Sequence, residues 1–400
     1  MNTSFEPGAP VEQGSIPLSV PEIRGNEWKY VKECLDTGWV SSVGSFVERF
    51  ERELAAYVGR KYAVAVASGT AALHIALLVA DVKPDDEVLV PTLTFIAPAN
   101  AIRYVGAWPV FIDVEPDYWQ LDAQKVASFL KDECRWSNGA LRNKRTGRRV
   151  KAILPVHILG HPVDMDPILE LARLYNLAVI EDATESLGAT YKGRMVGCLG
   201  DSACFSFNGN KIITTGGGGM LVTYSEPLAR KAKYLTTQAK DDAVEYIHHE
   251  IGYNYRLTNL QAALGCAQME QLNDRIAAKR RIAAAYTENF KGLRGITPMG
   301  EAPWAQSIYW LYTILIDERE YGECSRRLMN SLAEQGIQSR PLWQPLHLSP
   351  AHVGSQSYQC TIAEKLNREA LSLPCSSGLG AEQLTRVVTA IKDFSARPLA

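Results

Sequence analysis

The chain has 400 residues, of which 46% are hydrophobic and 22% are charged, and its formal net charge at pH 7 is -2. This length exceeds what one hydrophobic core usually supports, so we expect two domains in an ordinary globular protein. A charge so close to zero gives no general attraction to nucleic acid or to anionic membranes, and no apolar run reaches the roughly 20 residues of a membrane helix. The expected partners are therefore small molecules and a second copy of the chain.

The first 15 residues are rich in Pro, Gly and Ser and show no periodicity, which predicts a flexible tail over residues 1–15. They lack the basic and apolar regions of a secretory signal, so we expect a cytoplasmic protein. The eight cysteines are scattered without a CxxC pair. This pattern favours free thiols and predicts neither a disulfide framework nor a metal site.

Two helices are predicted over residues 22–35 and 46–58. In the second, Phe46, Phe50, Leu54 and Tyr57 recur at helical spacing and form one apolar stripe. From residue 62 onward, short β-branched or apolar runs alternate with segments long enough for helices. The runs cover residues 63–67, 87–90, 110–114, 152–156 and 177–180. This alternation predicts an α/β domain with a mainly parallel sheet flanked by helices. Ligands of such sheets bind beyond the carboxyl ends of the strands.

One stretch, residues 131–151, interrupts this rhythm and is strongly basic. Such a composition fits either a nucleic-acid-binding patch or a solvated insertion loop. Because Trp136 is its one aromatic residue, we favour the solvated loop.

The last third of the chain predicts a smaller α+β domain. A helix starts at residue 259 and extends through a charged stretch to 286, and a strand is expected over 309–316. Further helices are predicted over 325–335, 361–371 and 381–394. We therefore divide the chain into a large domain, residues 16–258, and a small C-terminal domain, residues 259–400.

Three short segments carry residues that suit chemistry. The first is Ser68-Gly69-Thr70-Ala71, which follows a predicted strand and opens an apolar helix. Free backbone N–H groups and the positive end of the helix dipole suit a phosphate there, although Ser and Thr are also ordinary helix caps. The segment lacks the GxxxxGK[ST] pattern of a Walker loop.

The second is Asp182, which ends a predicted buried strand, with Glu185 three residues later. A buried carboxylate requires a cation, which is either a neighbouring arginine or a bound ligand. The third is Lys211, which lies between the turn Asn208-Gly209-Asn210 and four consecutive glycines. Taken alone, such a lysine is most often a solvated residue of a glycine-rich hairpin.

One ligand satisfies all three segments. Pyridoxal phosphate (PLP) has a phosphate, a ring nitrogen that becomes positive opposite an acid, and an aldehyde that reacts with an amine. We therefore expect Lys211 to bind the aldehyde covalently, Asp182 to keep the pyridine nitrogen protonated, and the Gly69-Thr70 turn to hold the phosphate.

Five motifs, in this order, resemble the DegT/DnrJ/StrS family: SGTAALH, PTLTFIAPANAI, VIEDATESLGA, SFNGNKIITTGGGGM and GYNYRLTNLQAALG. The resemblance extends from about residue 16 onward. It implies a fold-type I PLP-dependent transferase that aminates nucleotide-linked keto sugars. The turn NGNKIITT is most similar to the subgroup that aminates C4 of UDP-linked 4-keto-6-deoxy-N-acetylhexosamines, on routes to bacillosamine or legionaminic acid.

The resemblance also implies roles for residues of the cofactor site. Lys211 matches the covalent lysine, and Ser206 matches a phosphate ligand, as does the segment that contains Ala71. Asp182 matches the partner of the pyridine nitrogen. Glu185 occupies the place of a Gln or His that contacts the 3-oxygen side of the cofactor. Phe95 matches the aromatic residue that stacks on the ring.

Other matches concern the partner subunit and the second substrate. Asn254 matches a residue that reaches the phosphate of the neighbouring subunit, which implies a homodimer with shared active sites. His157, Arg340, Trp343 and His347 match stretches that line the sugar-nucleotide side.

The resulting hypothesis is a transaminase of bacterial surface-sugar biosynthesis that moves an amino group from L-glutamate to C4 of the UDP sugar. Lys211 moves the protons, since a dry, cation-rich pocket suits a lysine for that role. A catalytically silent PLP-binding or nucleotide-sugar-binding regulatory protein is the alternative. A Rossmann dehydrogenase fits the strand–helix rhythm, but the segment after the first strand lacks its three glycines.

Overall fold

The computed structural model describes residues 14–242 and 244–395, so nearly all of the predicted tail lies outside the described residues. The described helices are α1 (Glu27–Thr37), α2 (Ser45–Val58), α3 (Gly69–Val79), α4 (Ala97–Tyr104), α5 (Ala123–Ser128), α6 (Met165–Tyr175), α7 (Glu226–Thr236), α8 (Asn259–Met269), α9 (Leu272–Phe290), α10 (Glu318–Tyr321), α11 (Ser325–Glu334), α12 (Thr361–Glu369) and α13 (Ala381–Ser395).

The described strands are β1 (Tyr62–Val66), β2 (Glu87–Pro91), β3 (Trp108–Ile112), β4 (Cys134–Ser137), β5 (Ala140–Asn143), β6 (Val150–Ile153), β7 (Ala178–Asp182), β8 (Thr190–Tyr191), β9 (Arg194–Met195), β10 (Ser202–Ser206), β11 (Gly219–Thr223), β12 (Ile296–Pro298), β13 (Ala305–Gln306), β14 (Tyr312–Ile316), β15 (Gln356–Tyr358) and β16 (Ala370–Leu373). In this same part of the chain, no helix combines the length and apolar character needed to cross a bilayer.

A large mixed sheet organises the molecule, with the strand order β1-β11-β10-β7-β6-β2-β3-β15. Neighbouring strands from β10 to β15 run parallel, and β11 is antiparallel to both β1 and β10. The predicted α/β class with a mainly parallel sheet is therefore confirmed. Three strands of this sheet were not among the predicted runs: β10, β11 and β15. Strand β15 comes from the C-terminal part of the chain and extends the sheet at β3.

Helices cover both faces of this sheet, which explains why its strands are apolar along their whole length. Successive side chains of a strand point to opposite faces. Val88 and Val90 of β2 accordingly pack in the core that contains α3, whereas Leu89 packs with α5 and α6 on the other face. The carboxyl ends of the parallel strands meet at one edge, where polar residues follow them.

A second, smaller core lies in the C-terminal part of the chain. The antiparallel sheet β12-β14-β16 packs against α9, α11 and α13 through a separate set of buried residues that includes Tyr286 and Phe290. Ile16 joins this core too, because it pairs with Ile337 in a parallel bridge. The N-terminal end of the described chain therefore packs with the small C-terminal core.

The helix expected over residues 259–286 is two helices, α8 and α9, which break between Met269 and Leu272. Helix α8 packs in the large core, where Gly265 lies so close to Phe50 that an added Cβ would be 2.7 Å from the ring. Only the later part of α9, from Ile282 onward, joins the small core. We therefore propose a domain boundary within α9, not at residue 259.

The basic stretch 131–151 is more ordered than a solvated loop. Strands β4 and β5 form an antiparallel hairpin, and Cys134 and Leu141 of this hairpin are buried in the core beside β6. Nη2 of Arg149 lies 2.6 Å from Oδ2 of Asp86. The hairpin thus combines apolar anchors with charged side chains that face solvent or pair locally, which the composition alone did not reveal.

Candidate active site

A cavity of about 390 Å³ opens at the carboxyl ends of β7 and β10. Many of the residues that the sequence analysis singled out line this cavity, and other residues join them. The lining residues are Ser68, Gly69, Thr70, Leu73, Thr94, Phe95, Ala97, Pro98, Asp182, Thr184, Glu185, Ser206, Asn208, Asn210, Lys211, Gly217, Gly218, Trp310 and Trp343. The structure therefore brings the predicted phosphate turn, the buried acid and the lysine into one space.

The sheet register places these groups side by side. Strands β7 and β10 are parallel neighbours in which Cys204 is opposite Asp182, so Ser206 and Asp182 lie at the same edge. Helix α3 follows β1 and begins at Gly69. An added Cβ on Gly69 would lie 2.8 Å from Cβ of Ser206, closer than real Cβ atoms approach. The approach of α3 to β10 at this point therefore requires glycine.

Lys211 projects from the turn after β10, where its backbone N–H donates to the carbonyl of Asn208 at 3.0 Å. Its Nζ lies 3.5 Å from Oε1 of Glu185 and 4.1 Å from the ring centroid of Trp310. The amine is thus enclosed by a carboxylate and an indole face inside the cavity. The alternative considered in the sequence analysis, that Lys211 is a solvated residue of a hairpin, does not fit this environment.

Asp182 is almost fully buried, and its Oδ1 accepts the backbone N–H of Thr184 at 3.0 Å. Burial raises the pKa of this carboxyl, while hydrogen bonds from Thr184 and the charge of Lys211 act in the opposite direction. Among the described residues, no Lys, Arg or His nitrogen lies within 4.0 Å of this carboxylate. A structural salt bridge with arginine therefore does not explain the acid, which is available to a cationic ligand.

Glu185 is a second buried acid of the cavity. Its Oε2 accepts the backbone N–H of Leu159 at 2.9 Å, while Oε1 faces Lys211. Burial raises the pKa of the Glu185 carboxyl, the charge of Lys211 and the Leu159 N–H lower it, and the nearby Asp182 raises it further. The cavity therefore holds one amine and two buried acids whose pKa values are raised by burial.

The first turn of α3 forms the opposite end of the cavity. The first N–H groups of a helix have no partner within the helix, so those of Gly69 and Thr70 are available to an anion. The next N–H, that of Ala71, already donates to Oγ of Ser68 at 3.0 Å, and Ala71 is buried away from the cavity lining. In this structure a helix cap therefore occupies the donor of Ala71, and its cofactor contact stays a prediction.

The donor set of this cavity fits PLP. Gly69, Thr70 and Ser206 would hold the phosphate, Asp182 would face the ring nitrogen, and Lys211 would provide the amine for the aldehyde. Phe95 also lines the cavity and is 55% exposed, so one of its faces is free to pack on a flat ring. These side chains already line one cavity, so they need not move together to hold the cofactor.

His157 does not lie in the cavity, contrary to its predicted place on the sugar-nucleotide side. It is fully buried, and its Nδ1 accepts the backbone N–H of Val163 at 3.0 Å. Because Nδ1 is the acceptor, Nε2 carries the proton and donates to Oε2 of Glu181 at 3.2 Å. Both ring nitrogens are used inside the protein, so His157 has no donor or acceptor left for a substrate.

Of the other three substrate residues, Trp343 alone lines the cavity. Arg340 is exposed and hydrogen-bonds through its backbone to Ser372. The Nδ1 atom of His347 lies 2.7 Å from Oγ1 of Thr92, and its Nε2 lies 3.3 Å from Glu364. Arg340 and His347 are therefore outside the cavity of the single chain, and their predicted contacts with the sugar nucleotide do not follow from this geometry.

Asn254 is exposed and also lies outside the cavity, in a segment that pairs with Thr237 through an antiparallel bridge. An exposed position is what a contact with another subunit requires. The trans-subunit role of Asn254 therefore remains a prediction.

Sequence reasoning missed several residues of the cavity. Thr184 had a weak signal, since an Asp often accepts the backbone N–H two residues later. Asn208 and Asn210 were visible only as turn residues beside Lys211. Trp310 had no local signal, because it is about 100 residues from Lys211 along the chain and the packing of the two cores brings it to the cavity.

Known proteins resemble this chain over nearly its whole length. Residues 21–392 match the DegT/DnrJ/EryC1/StrS aminotransferase family. A GDP-perosamine synthase from Caulobacter vibrioides is 41% identical over 377 residues, which cover 94% of this chain and 97% of that protein. A GDP-perosamine synthase from Escherichia coli O157:H7 is 40% identical over 380 residues, covering 95% and 98%.

Among solved structures, the PLP form of a putative sugar aminotransferase, Spr1654 from Streptococcus pneumoniae, has a TM-score of 0.83 at 25% identity. The match covers 96% of this chain and 99% of that chain.

Proposed function

Since the chain belongs to the DegT/DnrJ/EryC1/StrS aminotransferase family, we propose that it transfers an amino group from L-glutamate to C4 of a GDP-linked 4-keto-6-deoxy sugar. It is a PLP-dependent sugar aminotransferase of fold type I. The choice of donor, carbon atom and nucleotide, and the roles of single residues, are the proposed part.

The observation that carries the proposal is the shared cavity of Lys211 and Asp182. The amine of Lys211 can react with the aldehyde of PLP, and the buried acid Asp182, which has no cation of the protein beside it among the described residues, can pair with the pyridine nitrogen. The first turn of α3, with Gly69 and Thr70, supplies donors for the phosphate. The three elements come from distant parts of the chain and meet in one space of about 390 Å³.

When bound, PLP supplies an aldehyde for amines and a protonated ring that accepts the electrons released at carbon. The carboxylate of Asp182 would face the ring nitrogen and favour its protonated form. Lys211 would hold the cofactor, and its free Nζ would take the proton from Cα of glutamate. In the second half of the reaction the same atom delivers a proton to C4 of the sugar.

The proposed nucleotide differs from the sequence expectation. The motif around Lys211 favoured a UDP-linked N-acetylhexosamine, but both relatives described above, at 41% and 40% identity over nearly the whole chain, are named GDP-perosamine synthase. Their names favour a GDP-linked sugar. Trp343 is the residue of the predicted substrate set that lines the cavity, and we propose that it contacts the sugar nucleotide.

We also propose a homodimer in which Asn254 contributes to the partner's active site. The support is its exposure and its position outside the cavity of its own chain, together with the family resemblance. The regulatory alternative has no support from the relatives described, which are enzymes by name.

A substrate panel tests the proposal. The purified protein, loaded with PLP, is incubated with L-glutamate and with GDP-, UDP- and dTDP-linked 4-keto-6-deoxy sugars, and the products are identified by mass spectrometry. The proposal predicts a 4-amino sugar from the GDP substrate at the highest kcat/KM. Amination of the UDP N-acetylhexosamine alone would refute the GDP assignment, and no amination of any 4-keto sugar would refute the reaction.

A further inference from the structure

The indole of Trp310 covers the amine of Lys211. The Nζ atom lies 4.1 Å from the ring centroid and 3.5 Å from Oε1 of Glu185. A cation over the face of an indole is attracted by the negative charge of its π system, and the attraction grows when water is excluded. Trp310 is 5% exposed, so this contact is largely dry.

Trp310 is also tied to the turn that carries the lysine. Its Nε1–H donates to the backbone carbonyl of Asn210, the residue before Lys211, at 2.7 Å. The indole therefore contacts the lysine at two points, its amine through the ring face and its backbone through the ring edge. This double contact fixes where the side chain of Lys211 can lie relative to its own turn.

A buried lysine holds the backbone of Trp310. The Nζ of Lys279, on α9, donates to the carbonyl of Trp310 at 2.9 Å and also to the carbonyl of Cys375. Burial lowers the pKa of the Lys279 amine, and no carboxylate lies within 4.0 Å of it among the residues that the structure describes. Burying an amine without a neighbouring acid costs folding free energy, and the two hydrogen bonds to carbonyl groups offset part of this cost.

The segment before Trp310 is held in an unusual conformation. Tyr309 has a φ of 48°, in the left-handed region that residues with a Cβ rarely adopt. Its N–H donates to Oγ of Ser307, and the N–H of Ile308 donates to the carbonyl of Gly160, both at 3.0 Å. An added Cβ on Gly160 would lie 2.7 Å from the nitrogen of Trp310. Strain of this kind persists where the surrounding structure imposes it, often at functional sites.

From this geometry we propose that Trp310 is a positioning residue for Lys211. Its indole and the Glu185 carboxylate form a site that holds the lysine amine whenever that amine is not bonded to the cofactor. The proposal rests on the proposed role of Lys211. During turnover, glutamate displaces the lysine, which must then remain within reach of Cα to move the proton. The site between the ring and the acid keeps the amine there instead of releasing it to solvent.

The first measurement reads the position of the amine directly. The full chain, loaded with PLP, is converted with L-glutamate to the form in which Lys211 is released, freed of excess glutamate, and methylated on its lysines with ¹³C-formaldehyde and a borane. Methyl groups above the face of an indole are shifted upfield in the NMR spectrum. We expect one upfield pair of methyl signals that is absent in K211R and that moves to the range of the other lysines in W310L.

Two further variants are matched controls for this signal. W343L removes another indole from the same cavity, and we expect the upfield signal to remain. W310F keeps an aromatic face but loses the Nε1–H donor, so its signal should lie between those of the wild type and W310L. If W310L does not fold, the wild-type spectrum by itself shows whether the Lys211 amine lies over the indole. Lys211 methyl signals without an upfield shift would overturn the proposal.

The second measurement reads the consequence for the reaction. In rapid mixing with L-glutamate, W310L should lower the rate constant at saturation by roughly tenfold, the scale of a desolvated cation–π contact, with the half-saturating glutamate concentration unchanged. W310F should lose less. A wild-type rate constant in a folded W310L variant would contradict the proposal, as would a loss that appears only in glutamate affinity.

The design separates this proposal from the proposed role of Lys211. Reduction of the loaded protein with borohydride, followed by peptide mass spectrometry, locates the lysine that carries the cofactor. An adduct on another lysine would refute the role of Lys211 even if its amine still lay over the indole. An adduct on Lys211 together with an unshifted methyl signal would refute the role of Trp310 alone.

Discussion

Oε1 of Glu185 lies 3.5 Å from Nζ of Lys211, so the cavity that encloses the amine also contains an acid three residues beyond Asp182. The two carboxyls have different surroundings. Asp182 accepts the N–H of Thr184, whereas Glu185 accepts the N–H of Leu159 and faces the amine. We therefore propose that Asp182 faces the cofactor ring and Glu185 faces the lysine, and this proposal leads to separate predictions for the two acids.

Asp182→Asn should slow the reaction with L-glutamate by roughly 10²- to 10³-fold, because a neutral amide no longer keeps the proton on the ring nitrogen. The measurement is the absorbance change of the loaded protein after rapid mixing with glutamate. Asp166→Asn is a suitable control, since Asp166 pairs with Lys192 on the surface. An Asp182→Asn variant that reacts at the control rate would refute the role of this acid.

Glu185→Gln should stabilise the cofactor-free protein at pH 8. Burial raises the pKa of Glu185 above its ordinary value of 4.5, so the folded chain holds this proton more tightly than the unfolded chain. The folding cost of the ionised carboxyl is therefore absent below pH 4.5 and grows as the pH rises through the folded pKa. This folding cost is measured by thermal unfolding of wild type and variant at pH 8 and at the lowest pH that the protein tolerates. A lower unfolding midpoint for the variant than for the wild type at pH 8 would contradict the prediction.

Glu181→Gln should destabilise the protein by about 3 kcal/mol, because it removes the charge beside a buried guanidinium. Oε1 of Glu181 lies 3.6 Å from Nη2 of Arg60 and accepts the N–H groups of Leu199 and Gly200. Burial alone would raise the pKa of Glu181, but His157 and the N–H groups of Gly200 and Gly197 outweigh it and lower the pKa.

The stabilisation by Glu181 is therefore present above its ordinary pKa of 4.5 and is lost as the pH falls through the lower folded value. Denaturant unfolding at pH 7 measures the loss, with the exposed Glu170→Gln as the control. Equal stability of the two variants at pH 7 would show that the buried pair contributes nothing.

Gly69→Ala should weaken PLP binding and destabilise the protein by about 1–3 kcal/mol, since the new Cβ would meet Ser206 at 2.8 Å and move α3 away from β10. Gly209→Ala is the matched control, because an added Cβ there meets no heavy atom within 4 Å. Equilibrium titration with PLP and denaturant unfolding measure the two effects. Equal PLP affinity in both variants would contradict a phosphate site at this turn.

Local sequence patterns predicted the parts of this fold that depend on local physics. The apolar runs became β1, β2, β3, β6 and β7. Asp182 and Lys211 were identified because one ligand, PLP, accounts for both of them and for the Gly69-Thr70 turn, and because the motifs around them resemble a known family.

What the sequence did not predict depends on contacts between distant residues. Strand β15 joins the large sheet by pairing with β3, which lies far earlier in the chain. His157 is buried with its Nε2 against Glu181, which lies on β7. Trp310 reaches Lys211 because the two cores pack around α9. No window of neighbouring residues contains this information.

The most direct test of the central claim is to locate the lysine that carries PLP. The loaded wild-type protein is reduced with borohydride, digested, and mapped by peptide mass spectrometry, with Lys211→Ala treated in parallel. We predict a single phosphopyridoxyl adduct on Lys211, no adduct in the variant, and no amination of any sugar by the variant. An adduct on a different lysine, or sugar amination at the wild-type rate by Lys211→Ala, would contradict the account.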